Sequence, residues 1–358
     1  MANFDLANFA LKATCPSNEI ILDDKGLPSI MVYVPKFKIS DVLEGGSDST
    51  HPAFIVNGQE VPGVYISKYQ NVVYNNRAYS LPGEDPKVNI AFDQARQVCE
   101  AKGPGWHLMT NAEWAAIALW CRKNNCMPKG NNDFGKDSGE SSYMAIPASY
   151  GSDGMVNRVL TGTGPMTWSH NGEISGIWDL NGNVHEWIGG YRTVEGEIQI
   201  LPNNDAADVN NSQSANSIKW KAILPDGTLV NPSTQGTLKW DYVDPIPESS
   251  TAYYEFRLNI TNKTKSETAF GAISFATLSA ADGVAVPEIV KILALFPADN
   301  GGYDGDRIYM KNKGERLAMR GGALHLGTKT GVFCFFGESV RTHTFNALGF
   351  RSAYISGL

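Results

Sequence analysis

Apolar and polar positions recur at clear intervals over the first third of the chain and lose that regularity near its end. Residues 29–38 (SIMVYVPKFK) combine β-branched and aromatic side chains and predict a strand. Pro35 falls at its edge or end, because proline has no N–H to give to a ladder. A polar, Gly/Ser/Asp-rich turn at 44–49 precedes a second predicted strand at 64–69 (VYISKY). Over 89–102, Ala91, Ala95, Val98 and Cys99 return on one face at helical spacing and Gly103 stands where a C-cap would, so a helix is predicted. Thr110-Asn111-Ala112-Glu113 is a capping-box sequence, and it opens the apolar run WAAIALWC of a further helix.

Glycine and polar residues crowd 129–175 and predict long loops. Residues 178–190 (WDLNGNVHEWIGG) hold the turn Asn181-Gly182-Asn183, since Gly and Asn tolerate positive φ, and then a short aromatic strand at 184–188. From 191 to 280 the composition shifts to Asn, Ser, Thr and Asp, with strand-like pieces at 197–201, 218–223 and 253–260. This stretch reads as an insertion, partly irregular and partly β, within a single domain spanning 1–358. Residues 286–295 predict one more helix, with Pro287 at its first position. Residues 320–354 keep two rigid-looking ends, Arg320-Gly321-Gly322 and Leu348-Gly349-Phe350-Arg351, around a middle with no strand alternation.

Composition narrows the function classes. The chain has 358 residues, 42% hydrophobic, with 36 Gly and 18 Pro, which suits a loop-rich fold with a sizeable core. A net charge of −7 with no basic run argues against a nucleic-acid binder, which must neutralise phosphates. The first 21 residues lack the charged and apolar regions of a signal peptide, and no stretch approaches the roughly 20 apolar residues of a membrane span. Cys15, Cys99, Cys121, Cys126 and Cys334 are odd in number and sparse, which fits reduced thiols rather than a disulfide framework. The glycosylation-like triplets at Asn210, Asn259 and Asn262 read as chance matches.

No catalytic constellation emerges from the residues. His185-Glu186 lacks the second histidine one turn on that a zinc-protease helix needs, so a hydrogen-bonded structural pair is the reading. Cys121 and Cys126 lie five apart, off a shared helical face and without a second cluster. No G-x-S-x-G surrounds a serine, and Gly301-Gly302 lacks the lysine of a phosphate loop.

Taken in order, however, these segments resemble the formylglycine-generating enzyme type of C-type lectin fold, an α+β architecture with few helices. Met31-Val32-Tyr33-Val34-Pro35 and Val64-Tyr65-Ile66-Ser67-Lys68-Tyr69 resemble its opening strands. Residues 106–114 (WHLMTNAEW) resemble its R-L-P-T-E-A-E-W helix start, and 179–187 (DLNGNVHEW) its G-N-V-W-E-W signature. Arg320-Gly321-Gly322 and Gly349-Phe350-Arg351 match its closing frame. The matches run from 31 to 354. Formylglycine-generating enzymes carry two copper-binding cysteines soon after R-G-G. Leu326 and Gly331 stand at those places here, and Cys334 is alone and out of position. The helical domain and histidine cluster of the related sulfoxide synthases are also missing.

The branch that fits best is the variable proteins of diversity-generating retroelements, in which adenine-directed mutagenesis rewrites the segment between the two frame ends. Their template reads RGGNWNNG, then GVFNLNLNN, then NNNIGFR, and Gly331-Val332-Phe333 aligns without a gap to Gly349-Phe350-Arg351. The mutable places fall on Ala323, His325, Leu326, Cys334, Phe336, Ser339, Phe345, Asn346 and Ala347, with Leu324 added. All are residue types that such codons can produce, whereas Lys329 and Glu338 are not and read as scaffold. The resemblance therefore implies a non-enzymatic binding protein whose variable region is 320–354. Leu324, Leu326, Phe336 and Phe345 are expected to form an exposed apolar patch that meets a protein or glycan on a cell surface. It implies no required cofactor, allows a structural calcium ion without naming ligands, and places the chain on a phage tail tip or with a bacterial cell. The alternatives are a sulfatase-modifying-type oxidoreductase and a fixed, calcium-dependent carbohydrate-binding module.

Overall fold

The computed structural model describes residues 4–243, 253–263, 269–299 and 301–358. Thr264 of the third glycosylation-like triplet, and 244–252 and 264–268 of the predicted insertion, lie outside the described residues. The described chain mixes α and β, rich in sheet and loop, with five α-helices.

A five-stranded antiparallel sheet brings the two ends of the chain together. Its order is Asn18–Leu22, Pro28–Pro35, Gly63–Ser67, Ser352–Tyr354 and Trp106–Leu108. The two predicted opening strands are thus present, and the second pairs with the strand that follows the frame's Arg351. A larger sheet begins at Leu229–Val230 and continues through Lys221–Ile223, Glu197–Ile200, His185–Val194, Glu315–Arg320, Phe335–Ser339, Arg307–Met310 and Gly271–Ser274. Leu348–Phe350 pairs parallel with His185–Val194 off this path. Strands of 191–280 extend this sheet, and Ile198, Ile223, Trp240, Phe256 and Leu258 from them enter the main core.

Local chemistry explains most boundaries. The Asn111–Lys123 helix starts on the predicted capping box: the Glu113 amide donates to Thr110 Oγ1 at 3.2 Å and the Thr110 amide to Glu113 Oε2 at 2.9 Å. The helix predicted over 89–102 is shorter, Phe92–Glu100, because Asn89 takes a left-handed φ of 55° that no helix accommodates. The helix predicted over 286–295 contracts to Glu288–Ile292. Pro287 is its N-cap rather than its first residue, and Ala294 turns left-handed at φ 49°. The strand predicted at 184–188 instead runs His185–Val194, since Gly189-Gly190 hides its apolar pattern while both edges are paired. The helix Phe4–Thr14 was not predicted; none of its residues is buried, so it leaves no amphipathic signature of packing.

Both frame arginines are buried. Arg351 forms a bidentate pair with Glu186 (Nε to Oε2 2.9 Å, Nη2 to Oε1 2.8 Å). Its remaining N–H groups donate to the carbonyls of Ser67, Lys68 and Trp178 at 2.8–3.2 Å. Arg320 donates to Asn111 Oδ1 and to the carbonyls of Leu293 and Ala294, and its guanidinium lies over the Phe335 ring at 4.5 Å. At Gly322 (φ 68°) a Cβ would stand 1.5 Å from Thr330 Oγ1, which itself donates to the Gly321 carbonyl at 2.7 Å. No other residue fits there.

Removing one member of a buried ion pair strands the other, at a cost of about 3–5 kcal/mol. Arg351→Met is expected to lower unfolding stability in urea by that order, and Arg351→Met/Glu186→Gln by less than the two single losses combined.

Candidate ligand-binding face

The segment between the frame ends does not lie on the surface as one piece. After Gly322 it passes under the surface, emerges at 325–329, and dives again to form Phe335–Ser339 between Glu315–Arg320 and Arg307–Met310. It emerges a second time over 340–346 and returns to the sheet at Leu348–Phe350.

This path sorts the ten predicted contact residues. His325 and Asn346 are exposed, and Leu326 and Phe345 are half-buried. Ala323, Leu324, Cys334, Phe336, Ser339 and Ala347 are buried. The expected apolar patch of Leu324, Leu326, Phe336 and Phe345 is therefore not formed. Phe336 stacks on Tyr309 with centroids 4.1 Å apart and meets His185 edge-on at 4.4 Å, because its strand is covered on both sides. Leu324 packs with Ala323 and Ala347. Ser339 Oγ points at Met319 Sδ, and the buried Cys334 thiol is pushed up to about 12 by desolvation, so it stays protonated near neutral pH.

The two emergent loops meet. Leu326 and Phe345 both pack on the Ala323, Leu324 and Ala347 cluster, together with Phe134 from the long loop region. The exposed side chains of the face are His325, Thr328 and Lys329 on one loop and Val340, Thr342, His343, Thr344 and Asn346 on the other. Alignment to the template misses Thr342, His343 and Thr344. Their exposure follows from a turn between two buried strands, which the polar run RTHT signals.

Bonds from Asn89, Asn132, Phe134 and Arg158 to main-chain atoms fix both loops. The Gly327 amide donates to the Asn132 carbonyl at 2.8 Å, and the Phe134 amide to the Leu324 carbonyl at 2.8 Å. The Phe345 carbonyl accepts from the Asn89 amide at 3.2 Å, and the Asn346 carbonyl from Arg158 Nη1 at 3.1 Å. Arg341 anchors the start of the second loop through Asp93 and Glu315, at 3.0 and 2.9 Å.

The motif 179–187 braces this arrangement. Glu186 is held by Arg351 and also accepts from Gln70 Nε2. Asn183, at φ 59°, donates to Gln70 Oε1 and accepts from the Val159 amide and Asn131 Nδ2, which ties the long loop region to the frame. His185 lies at the floor of the face, between Phe336 and Phe345, and its Nδ1 finds no hydrogen-bond partner among the described residues. Desolvation, reinforced by His325 and His343, pushes its pKa down to about 3.

Two measurements follow from these placements. Phe336→Ala is expected to cost about 3–5 kcal/mol of stability, and Phe345→Ala at most about 2 kcal/mol, both read by urea unfolding. His185 must take up a proton when the chain unfolds below its ordinary pKa of 6.5. Its burial thus contributes stability that is complete above that pH and is lost as pH falls toward 3. His185→Phe, which keeps the ring and removes the titration, should gain on the wild type steadily between pH 6.5 and 4 in parallel unfolding curves.

No family model matches the chain, and no curated protein matches its sequence. Among solved structures, the Major Tropism Determinant P3c variant is similar over 94% of this chain and 71% of its own, at 10% identity and TM-score 0.30. PvdO from Pseudomonas aeruginosa is similar over 94% and 97%, at 12% identity and TM-score 0.31. At these scores neither likeness carries weight for fold or function.

Proposed function

We propose that the chain is a ligand-binding protein with a C-type lectin fold of the formylglycine-generating enzyme type, and that the loops 325–329 and 340–346 display a variable recognition face. The observation that carries this reading is how the loops are held. Asn89, Asn132, Phe134 and Arg158, all outside the segment, grip them through main-chain atoms at Leu324, Gly327, Phe345 and Asn346. The side chains of His325, Thr328, Thr342, His343, Thr344 and Asn346 are left exposed. A loop fixed by its backbone can change side chains without refolding, which is what a segment rewritten by adenine-directed mutagenesis requires. The contact set is then His325, Leu326, Phe345 and Asn346, joined by the exposed residues of 342–344. The ligand is a protein or glycan on a cell surface, and the chain works at a phage tail tip or a bacterial surface. No catalysis is assigned: Leu326 and Gly331 stand where the related enzymes have cysteines, and Cys334 is a buried, protonated thiol.

The DNA beside the gene tests the variable origin. A near-copy of the segment encoding 320–354, differing at adenines and adjoining a reverse transcriptase, is expected, and its absence overturns that origin. The face itself is tested with labelled protein on bacterial cells. His325→Ala/Leu326→Ala/Phe345→Ala/Asn346→Ala should abolish cell binding while the chain still melts cooperatively. Retained binding, or loss of binding only through unfolding, would sink the assignment.

A further inference from the structure

Beside the second loop stands a ribbon that the mutable template does not include. Residues 146–160 form a hairpin: the Leu160 amide donates to the Ile146 carbonyl, Ala148 to Arg158, Asn157 to Ser149 and Gly151 to Met155, all at 2.8 Å. Bridges between Pro147 and Val159 and between Tyr150 and Val156 complete it. Its base is tied to the frame by the Val159 amide on Asn183 Oδ1 at 2.9 Å and by Asn131 Nδ2 on the Asn157 carbonyl at 2.9 Å. Arg158 joins it to the recognition face, pairing in bidentate fashion with Asp85 at 2.7 Å while Nη1 holds the Asn346 carbonyl.

This anchored hairpin exposes apolar side chains. Tyr143, Ile146 and Tyr150 are 60%, 57% and 63% accessible, and Met144 and Met155 are exposed as well. Residues 141–152 (SSYMAIPASYGS) contain no charged residue, whereas Glu140, Asp153 and Arg158 border them. A cavity of about 400 Å³ opens between Phe134, Tyr143, Met155 and the ion pair of Asp133 and Lys136, 2.9 Å apart. Its Phe134 also packs on the Leu326 and Phe345 cluster, so the hairpin side and the variable loops share one wall.

Resting on the recognition face proposed above, we infer that residues 141–158 form the constant half of that face, and that its ligand is a protein presenting a neutral, apolar surface. Exposed tyrosine, methionine and isoleucine along an uncharged stretch, with charged residues paired beside it, are the composition of a protein–protein contact. Methionine adapts to varied apolar partners, and tyrosine contributes area at low entropic cost. Because the hairpin is tied to the frame at its base, it adds this area without ordering a loop on binding. The variable loops then select among targets that the hairpin holds in common, and Arg158 positions the two halves against each other.

A random linear-peptide library displayed on phage and panned against the full-length chain tests this. Enriched peptides should be rich in aromatic and aliphatic residues and should bind about tenfold or more weakly both to Ile146→Ser/Tyr150→Ser and to His325→Ala/Phe345→Ala. They should also protect Met144 and Met155 of the wild type from peroxide oxidation. Affinity lost only in the 325/345 variant overturns the hairpin's part and leaves the variable face standing. Affinity lost only in the 146/150 variant makes the hairpin a separate site, and overturns the composite face. Enrichment of charged peptides, or glycan-array binding that the 146/150 variant loses, overturns the apolar protein ligand. A wild-type dimer that Ile146→Ser/Tyr150→Ser converts to monomer shows that the hairpin packs on a second copy, which also overturns it.

Discussion

All five N–H donors of the Arg351 guanidinium are satisfied inside the protein, two by Glu186 and three by the carbonyls of Ser67, Lys68 and Trp178. Those partners come from the opening sheet and its exit at 67–68 and from residues 178–186, while the arginine itself belongs to the closing frame. A planar, permanently charged fork fixes three segments at once in a way that a lysine could not. Because both charges are removed from water, the arrangement is stable only when complete. The pair therefore contributes uniqueness of geometry more than net free energy, and it sets where the second loop must leave and re-enter the sheet.

Gly321 and Gly322 do the corresponding work at the other end. Their left-handed backbone turns the chain beneath Trp114 and Thr330, where a Cβ at either position would intrude. Arg320 locks that turn to the start of the Asn111–Lys123 helix through Asn111. The segment that carries the two exposed loops thus hangs between two buried arginines, each clamped to a different part of the core. The hairpin 146–160 joins the same framework through Asn183, so its position is as determined as theirs.

Much of this architecture was legible in the sequence because it is written in local chemistry. The capping box at Thr110, the positive-φ turn at Gly182-Asn183 and the opening strands depend on neighbours a few residues away. The site was only half legible. The resemblance implies which positions would vary, but burial depends on pairing with Arg307–Met310 and Glu315–Arg320, which no pattern within 320–354 records. That pairing buries Phe336 and Cys334 and leaves His325 and Asn346 outside. The apparent lack of strand alternation arises because Phe335–Ser339 is covered on both faces, so its residues need no polar side. His185 and Phe134 were missed as members of the face because each reaches it from a distant part of the chain.

The strand Ser352–Tyr354 follows the two exposed loops in the chain, yet it sits inside the first sheet, between Gly63–Ser67 and Trp106–Leu108. Synthesis must therefore pass through the whole segment between the frame ends before the opening sheet can close and Glu186 can find its cation. A copy interrupted by a stop codon or a shifted reading frame leaves Trp106–Leu108 without a partner, Gly63–Ser67 open on one edge and a carboxylate buried alone. Closure of the first sheet thereby depends on the segment before it having been translated in frame and to its end.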